Sequence, residues 1–265
     1  MNELLTELEE LMTLSPDGPS VVAIGGGHGL SQALVGIQRY ASQISAVVTV
    51  ADDGGSSGRL IDGLDILPPG DLRRCLLALS SEPTLLGELF DYRFGGSDVD
   101  GHSLGNLILA AMADIFGDFH TGLQIAGEAL GALGTVLPVS LQALILEAEI
   151  DGQNVVGQAL ISRTRGTVQS IAVKPDDVAL NPPVLDAIAD ADQIIVGPGS
   201  LFTSLIAALI VPGLAEALNR SDAQLVYVAN LITQDGETMS MSLVDHIHAL
   251  MSFTGLKPDF LALVN

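Results

Sequence analysis

The chain has 265 residues, of which 32 are acidic and 10 basic, for a net charge of −22 at pH 7. A general nucleic-acid binder needs a basic face to displace counterions, and this composition leaves little to build one from. With 48% hydrophobic residues the chain can bury a substantial core, which excludes wholesale disorder.

Residues 1–14 are acidic and amphipathic, with Leu4, Leu8 and Leu11 at helical spacing, and predict a surface helix ahead of the linker Ser15–Pro19. They lack a basic n-region followed by a long apolar stretch, so no signal peptide is expected. One domain is expected over residues 20–265. The run Ser20-Val-Val-Ala-Ile24 reads as a buried parallel strand. It opens into Gly25, Gly26, Gly27, His28 and Gly29, then a helix with Leu30, Leu34 and Ile37 near one face. Strand, glycine loop and helix begin a nucleotide-binding βαβ unit, in which loop amides and helix N-terminus form an anion site. A plain tight turn would use the same glycines. The dinucleotide fingerprint is not met, because its second and third glycines are misplaced, and no Gly-Lys-Ser or Gly-Lys-Thr of a P-loop occurs.

A second strand near 45–51 delivers two adjacent carboxylates, Asp52 and Asp53, followed by Gly54, Gly55, Ser56, Ser57, Gly58 and Arg59. Glycines let a backbone approach a ligand, serines donate and accept, and an arginine offers a cationic fork for phosphate or carboxylate. At a strand end, where open α/β sheets bind ligands, this run reads as a ligand loop rather than a polar turn. Adjacent strand residues point to opposite faces, so the two carboxylates are expected to divide their roles. Asp53 is expected to face the cleft and hold a metal or a sugar hydroxyl, and Asp52 to anchor the loop on backbone N–H groups.

Leu67-Pro-Pro-Gly-Asp71 then stops regular structure, with Asp71 either an N-cap or a ligand contact. Leu72, Cys75, Leu76 and Leu79 form a helical stripe, which makes Cys75 a core residue; as the lone cysteine it excludes an internal disulfide. A helix is expected over 83–95. Gly101-His-Ser-Leu-Gly-Asn106 opens another through Phe116, with Ser103 as cap and His102 and Asn106 at its start, where polar side chains can face a ligand. Thr121–Leu133 predicts a further helix.

From Thr135 the pattern turns to β, with a hairpin expected near 144–161 around Asp151-Gly152 and a strand near 168–173. The loop between them holds Arg163 and Arg165, a phosphate contact or a solvated turn. A helix over 181–190 and a buried strand at 193–197 lead into Gly197-Pro-Gly-Ser200, with Gly197, Gly199 and Ser200 forming a second strand–glycine loop–helix unit. The apolar helix from Leu201 is broken at Pro212-Gly213, too soon to span a membrane comfortably. A strand at 224–229 ends in Asn230, and the polar loop Thr233–Thr238 follows. The last helix carries the stripe Leu243, Ile247, Leu250 and Met251; His246 and His248 are expected at the core rim or in solvent, and no Cys/His spacing suggests zinc. An apolar run at 260–264 closes the chain. The whole predicts an α/β fold: a Rossmann-like, doubly wound, mainly parallel sheet with helices on both faces, an inserted β-hairpin, and the first two strands adjacent.

Six segments in this order, Gly25-Gly-Gly-His-Gly-Leu30, Asp52-Asp-Gly-Gly-Ser-Ser-Gly58, Leu67-Pro-Pro-Gly-Asp-Leu-Arg73, Gly101-His-Ser-Leu-Gly-Asn106, Gly197-Pro-Gly-Ser-Leu-Phe-Thr203 and Gln234-Asp-Gly-Glu-Thr238, resemble the YvcK-like gluconeogenesis factors, within the CofD-like 2-phospho-L-lactate transferase superfamily. The resemblance runs from about Val21 to Asn265. It implies a Rossmann-like fold and a cytoplasmic protein that binds UDP-sugars, notably UDP-N-acetylglucosamine, with links to cell shape and growth on gluconeogenic carbon and no established reaction. The transferase branch instead moves phospholactate from a nucleotide-activated donor to a deazaflavin, with Mg²⁺. Many members carry Thr where this chain has His28, and the chain ends earlier than is usual, so C-terminal ligand contacts are expected to be missing.

Two functions therefore compete. A nucleotide-sugar-binding regulator, more readily a binder than an enzyme, would seat the diphosphate on Gly25–Gly29 and the nucleoside beside Asn230. A transferase would hold Mg²⁺ on Asp52 and Asp53 across phosphate oxygens. A protein-interaction scaffold, a third class, predicts no ligand in the loops. No nucleic-acid partner and no membrane insertion are expected, and a homo-oligomer is.

Overall fold

The computed structural model describes residues 14–54, 66–80, 84–96 and 99–264. The expected N-terminal helix, and Gly55, Ser56, Ser57, Gly58 and Arg59 of the expected ligand loop, lie outside the described residues.

Among the described residues, nine strands fall into two sheets. The larger is six-stranded and wholly parallel, built from β1 (Ser20–Gly25), β2 (Gln43–Val48), β3 (Thr135–Pro138), β7 (Gln193–Val196), β8 (Gln224–Val228) and β9 (Leu261–Leu263) in the order β3-β2-β1-β7-β8-β9. The first two strands are adjacent, as expected, with Ser20 opposite Gln43 and Gly25 opposite Val48. Val21, Val22, Ala23 and Ile24 are each at most 1% exposed, which explains why this strand is apolar without alternation: helices cover both of its faces. β3 adds an edge strand beyond β2. It has four residues and ends in Pro138, which an edge tolerates because one side of its backbone has no partner.

Helices α1 (Gly27–Ile37), α2 (Pro69–Leu79), α4 (Leu104–Phe116) and α5 (Phe119–Ala129) pack on one another along the β1–β2–β3 half, and α3 (Leu85–Asp91) joins α2 and α4. Ser103 caps α4 by accepting from the Asn106 N–H, as expected, and Asp118 caps α5. The inserted unit is larger than a hairpin. β4 (Ile145–Ile150), β5 (Gln153–Val156) and β6 (Val168–Lys174) form an antiparallel sheet in the order β5-β4-β6. The returning strand stops at Val156 rather than Ile161, because Gly157 (φ +102°) turns the chain into a one-turn helix, α6 (Gln158–Ile161).

After α7 (Pro182–Ala189) and β7, the expected helix at Leu201 is a π-helix, Leu201–Ile206, that tightens into α8 (Ala207–Leu209) before α9 (Leu214–Arg220). The two arms are bent by 73°, and among the described residues no single helix is long and apolar enough to cross a membrane. The final helix, α10 (Leu243–Thr254), is rotated from its expected stripe: His246, Ala249 and Leu250 are buried while Leu243 is exposed. His246 is buried because its Nδ1 lies 2.8 Å from the Ser242 carbonyl oxygen one turn back, and Phe253 on the same side stacks edge-on to Phe202 at 5.7 Å.

Candidate functional site

The chain order of the large sheet reverses at β1. From there β2 and β3 run one way, and β7, β8 and β9 the other. The switch point, where open α/β sheets form their ligand crevice, therefore lies between the carboxyl ends of β1 and β7, where the chain leaves each strand in a glycine loop. The two loops touch: a Cβ placed on Gly29 would lie 2.4 Å from the Pro198 carbonyl oxygen, so only glycine lets α1 begin against the second loop. Gly25, Gly27, Gly29, Gly197, Gly199 and Ser200 are brought together here, with His28 exposed at the rim.

The first loop is shaped by Asp71. Gly27 has φ +66°, a left-handed conformation, and its N–H donates to Asp71 Oδ2 at 2.6 Å. Gly26 sits in a tight ring of Thr49, Asp71 and Ser204. Asp71 Oδ1 also accepts from Arg74 Nη1 at 2.6 Å. Asp71 is thus not the N-cap of α2: it is a buried strut from the start of α2 to the glycine loop. The N–H groups of His28 and Gly29, at the open end of α1, have no acceptor among the described residues. Thr49 Oγ1 is likewise buried without a partner among them.

Burial pushes the Asp71 carboxyl above its ordinary value, and the charge of Asp52 adds to this; Arg74 and the Gly27 N–H pull the other way. The sign of the consequence follows from linkage. As pH rises from the ordinary value of 3.8, the unfolded chain gives up this proton first, so the folded state loses stability up to its own raised value. Asp71→Asn keeps an acceptor for Gly27 and cannot ionise. Urea unfolding of both proteins between about pH 4 and about pH 7 should show the variant gaining on the wild type as pH rises. A gap that is flat or widens the other way would mean that Asp71 is not held against ionisation. Cys75, one turn along α2, is fully buried, and burial with the charge of Asp71 pushes its thiol far up, which keeps it inert.

The second loop is held differently. Asn230 clamps Gly199, accepting its N–H at 3.1 Å and donating to its carbonyl at 2.7 Å. Glu237, 7% exposed, closes the start of the π-helix. Its Oε2 accepts from the Phe202 and Thr203 N–H groups at 3.0 and 3.3 Å, and its Oε1 from the Thr203 hydroxyl at 2.5 Å. The helix N-terminus behind Gly197–Ser200, which resembled a second phosphate seat, is therefore occupied by the protein's own carboxylate. Asp235 in the same loop grips Arg165 through two bonds of 2.7 Å, so Arg165 serves an ion pair.

The adjacent carboxylates divide, with Asp52 in its expected role and Asp53 engaged elsewhere than expected. Asp52 Oδ1 accepts from Gly54 N–H at 3.0 Å, anchoring the loop as expected, and its charge reaches Asp71 beside the cleft. Asp53 turns away and accepts from Ala159 N–H at 2.8 Å at the start of α6. The reason is that β2 ends at Val48, so residues 49–53 do not keep the strand alternation on which the expectation rested. His102 and Asn106 are also buried, and Asn106 Oδ1 accepts from Arg73 Nε at 3.1 Å. Asn106 braces α4 against α2; it is not presented to the cleft as an open polar group.

Comparison with known proteins agrees with this architecture. Residues 21–264 match the family model described as 2-phospho-L-lactate transferase CofD. A gluconeogenesis factor from Halalkalibacterium halodurans is 46% identical over 239 residues, covering 89% of this chain and 74% of its own length. The gluconeogenesis factor of Bacillus subtilis is 44% identical over 239 residues, 89% of this chain and 75% of its own. A relative from Nostoc sp., 46% identical over 245 residues, is matched over only 54% of its length, so this chain spans about half of it. A crystal structure of a Bacillus halodurans protein superposes with a TM-score of 0.90 at 43% identity, over 94% of this chain and 81% of that one. Family model, relatives and superposition converge: this chain belongs to the CofD family, among the gluconeogenesis factors.

Proposed function

We propose that the chain is a regulatory protein that binds a nucleotide-sugar of the UDP-N-acetylglucosamine type in the β1/β7 crevice, linked to cell shape and growth on gluconeogenic carbon. The observation that supports this most is the meeting of two glycine loops at the topological switch point, with the N–H groups of His28 and Gly29 turned out of the start of α1. The diphosphate would lie on those amides, and the nucleoside would extend toward Asn230 and the loop after it. Isothermal titration with UDP-N-acetylglucosamine is the test. Saturable heat is expected at submillimolar to millimolar ligand, and no heat at millimolar ligand would overturn the proposal.

One observation favours a magnesium-dependent, phospholactate-type transferase with a deazaflavin acceptor. Asp52 and Asp71 lie close enough for one to raise the other's pKa, near the Thr49 hydroxyl, which has no partner among the described residues. Two carboxylates suit Mg²⁺ when ligand phosphates complete its shell, and the ion would offset charge there. Among the described residues no third acidic or histidine ligand joins them. Magnesium-dependent turnover of a nucleotide-activated phospholactate with a deazaflavin would favour the enzyme over the regulator; its absence, with UDP-sugar binding retained, would favour the regulator.

A further inference from the structure

On the outer side of the first glycine loop, α1, α2 and α3 enclose a groove of about 670 Å³. Gln32 of α1, Arg73 and Arg74 of α2, Thr84 at the start of α3 and Arg93 beyond its end line it, with His28 at the mouth. Three of the chain's eight arginines thus face one groove in a protein of net charge −22. Two carboxylates, Glu88 and Asp91, share the lining.

The three guanidinium groups are not equivalent. Arg73 is 3% exposed and spends Nε and Nη1 on internal partners: it donates to Asn106 Oδ1, to the Phe90 carbonyl and to Asp91 Oδ1. It is wall. Arg74, a third exposed, gives Nη1 to Asp71 and keeps Nε and Nη2 without partners among the described residues. Arg93 is exposed, donates one N–H to the Gly101 carbonyl, and forms no ion pair with a carboxylate among the described residues. Burial makes Arg73 easier to deprotonate, and the charges of Arg74 and Arg93 act in the same direction. Two cations lining one groove, each with N–H groups beyond its bonds among the described residues, match a multiply charged anion.

We propose that this groove is a second binding site, distinct from the β1/β7 crevice, for a small phosphate-bearing anion held between Arg74 and Arg93. Phosphate fits better than a single carboxylate because its oxygens can accept from both forks at once, while Gln32 and Thr84 supply neutral donors at the sides. The apolar stems of Leu77 and Val35 leave room for a short carbon skeleton behind the charged group.

The test is thermal unfolding with inorganic phosphate as the probe, against sodium chloride at matched ionic strength, so that general screening cancels. Wild-type protein should be stabilised saturably by millimolar phosphate. Arg93→Gln should weaken the apparent phosphate affinity about tenfold or more, and Arg93→Lys should retain part of it. UDP-N-acetylglucosamine titrated into Arg93→Gln, without phosphate, should bind as it does to wild type, which also establishes that the variant is folded. Phosphate stabilisation unchanged in Arg93→Gln, or absent from wild type, would overturn the proposal. So would phosphate binding that UDP-N-acetylglucosamine displaces stoichiometrically, since that places the anion in the crevice. Failure of the UDP-sugar to bind either protein, with an Arg93-dependent phosphate effect intact, would overturn the crevice proposal and leave this one standing; circular dichroism then serves as the fold check.

Discussion

Replacing Gly29 by alanine should cost roughly 3 kcal/mol of stability and abolish ligand binding in the crevice. The new methyl would meet the Pro198 carbonyl oxygen at 2.4 Å and its carbon at 2.8 Å. Neither atom is the end of a flexible side chain, so the two glycine loops must part or α1 must shift. Either movement opens the junction between β1 and β7 on which the site is built. Gly36, later in the same helix, is the control: nothing lies within 4 Å of a Cβ there, so Gly36→Ala should stabilise by roughly 0.5 kcal/mol through helix propensity and a less flexible unfolded chain. Urea unfolding of the two variants beside wild type reads both effects. A Gly29→Ala protein as stable as wild type would show that the loops are not locked together.

Glu237→Ala should be nearly as damaging. The substitution leaves the Phe202 and Thr203 N–H groups and the Thr203 hydroxyl buried without their shared acceptor. Orphaned buried donors cost about 1–3 kcal/mol each, less whatever water or relaxation recovers, so a total near 3 kcal/mol is expected. Glu237→Gln keeps one acceptor oxygen for the two N–H groups and lets the threonine hydroxyl reverse its role, so it should lose only about 1 kcal/mol. Unfolding midpoints of the pair test this. If glutamine were as damaging as alanine, the negative charge at the helix start, rather than the count of acceptors, would be the stabilising element.

The sheet was legible because parallel strands covered on both faces read as unbroken apolar runs, as at Val21–Ile24 and Ile194–Val196. Strand ends were less so. Thr49, Val50 and Ala51 are as buried as β2 itself, yet the ladder ends at Val48, and burial is what the sequence displays. That slip bears on Asp53, since strand alternation was extended to Asp52 and Asp53, four and five residues past that end. Edge strand β3 was seen only as β-like sequence, because four residues ending in proline give little pattern. The π-turn after Ser200 has no local signature; it depends on Glu237, more than thirty residues away, whose only trace was its place in a turn-rich motif. Arg73 and Arg93 were passed over inside predicted helices, since their common groove exists only once α2 and α3 pack. The glycine loops, by contrast, stand out in the sequence, because Gly27 and Gly197 take positive φ and a Cβ at Gly26 or Gly29 would clash.

Each of the two loops carries one of the protein's own carboxylates, but only one of these has a cationic neighbour. Asp71 is matched by Arg74 and is reluctant to ionise, whereas Glu237 has no basic side chain on it among the described residues. The crevice is therefore asymmetric before anything enters it. A molecule with its charge at one end would favour one orientation, head on α1 and tail toward β8; the reverse would set its oxygens toward a carboxylate with no cation beside it among the described residues. On the proposed reading, the fold would impose a sense of insertion without a residue devoted to rejecting the wrong one.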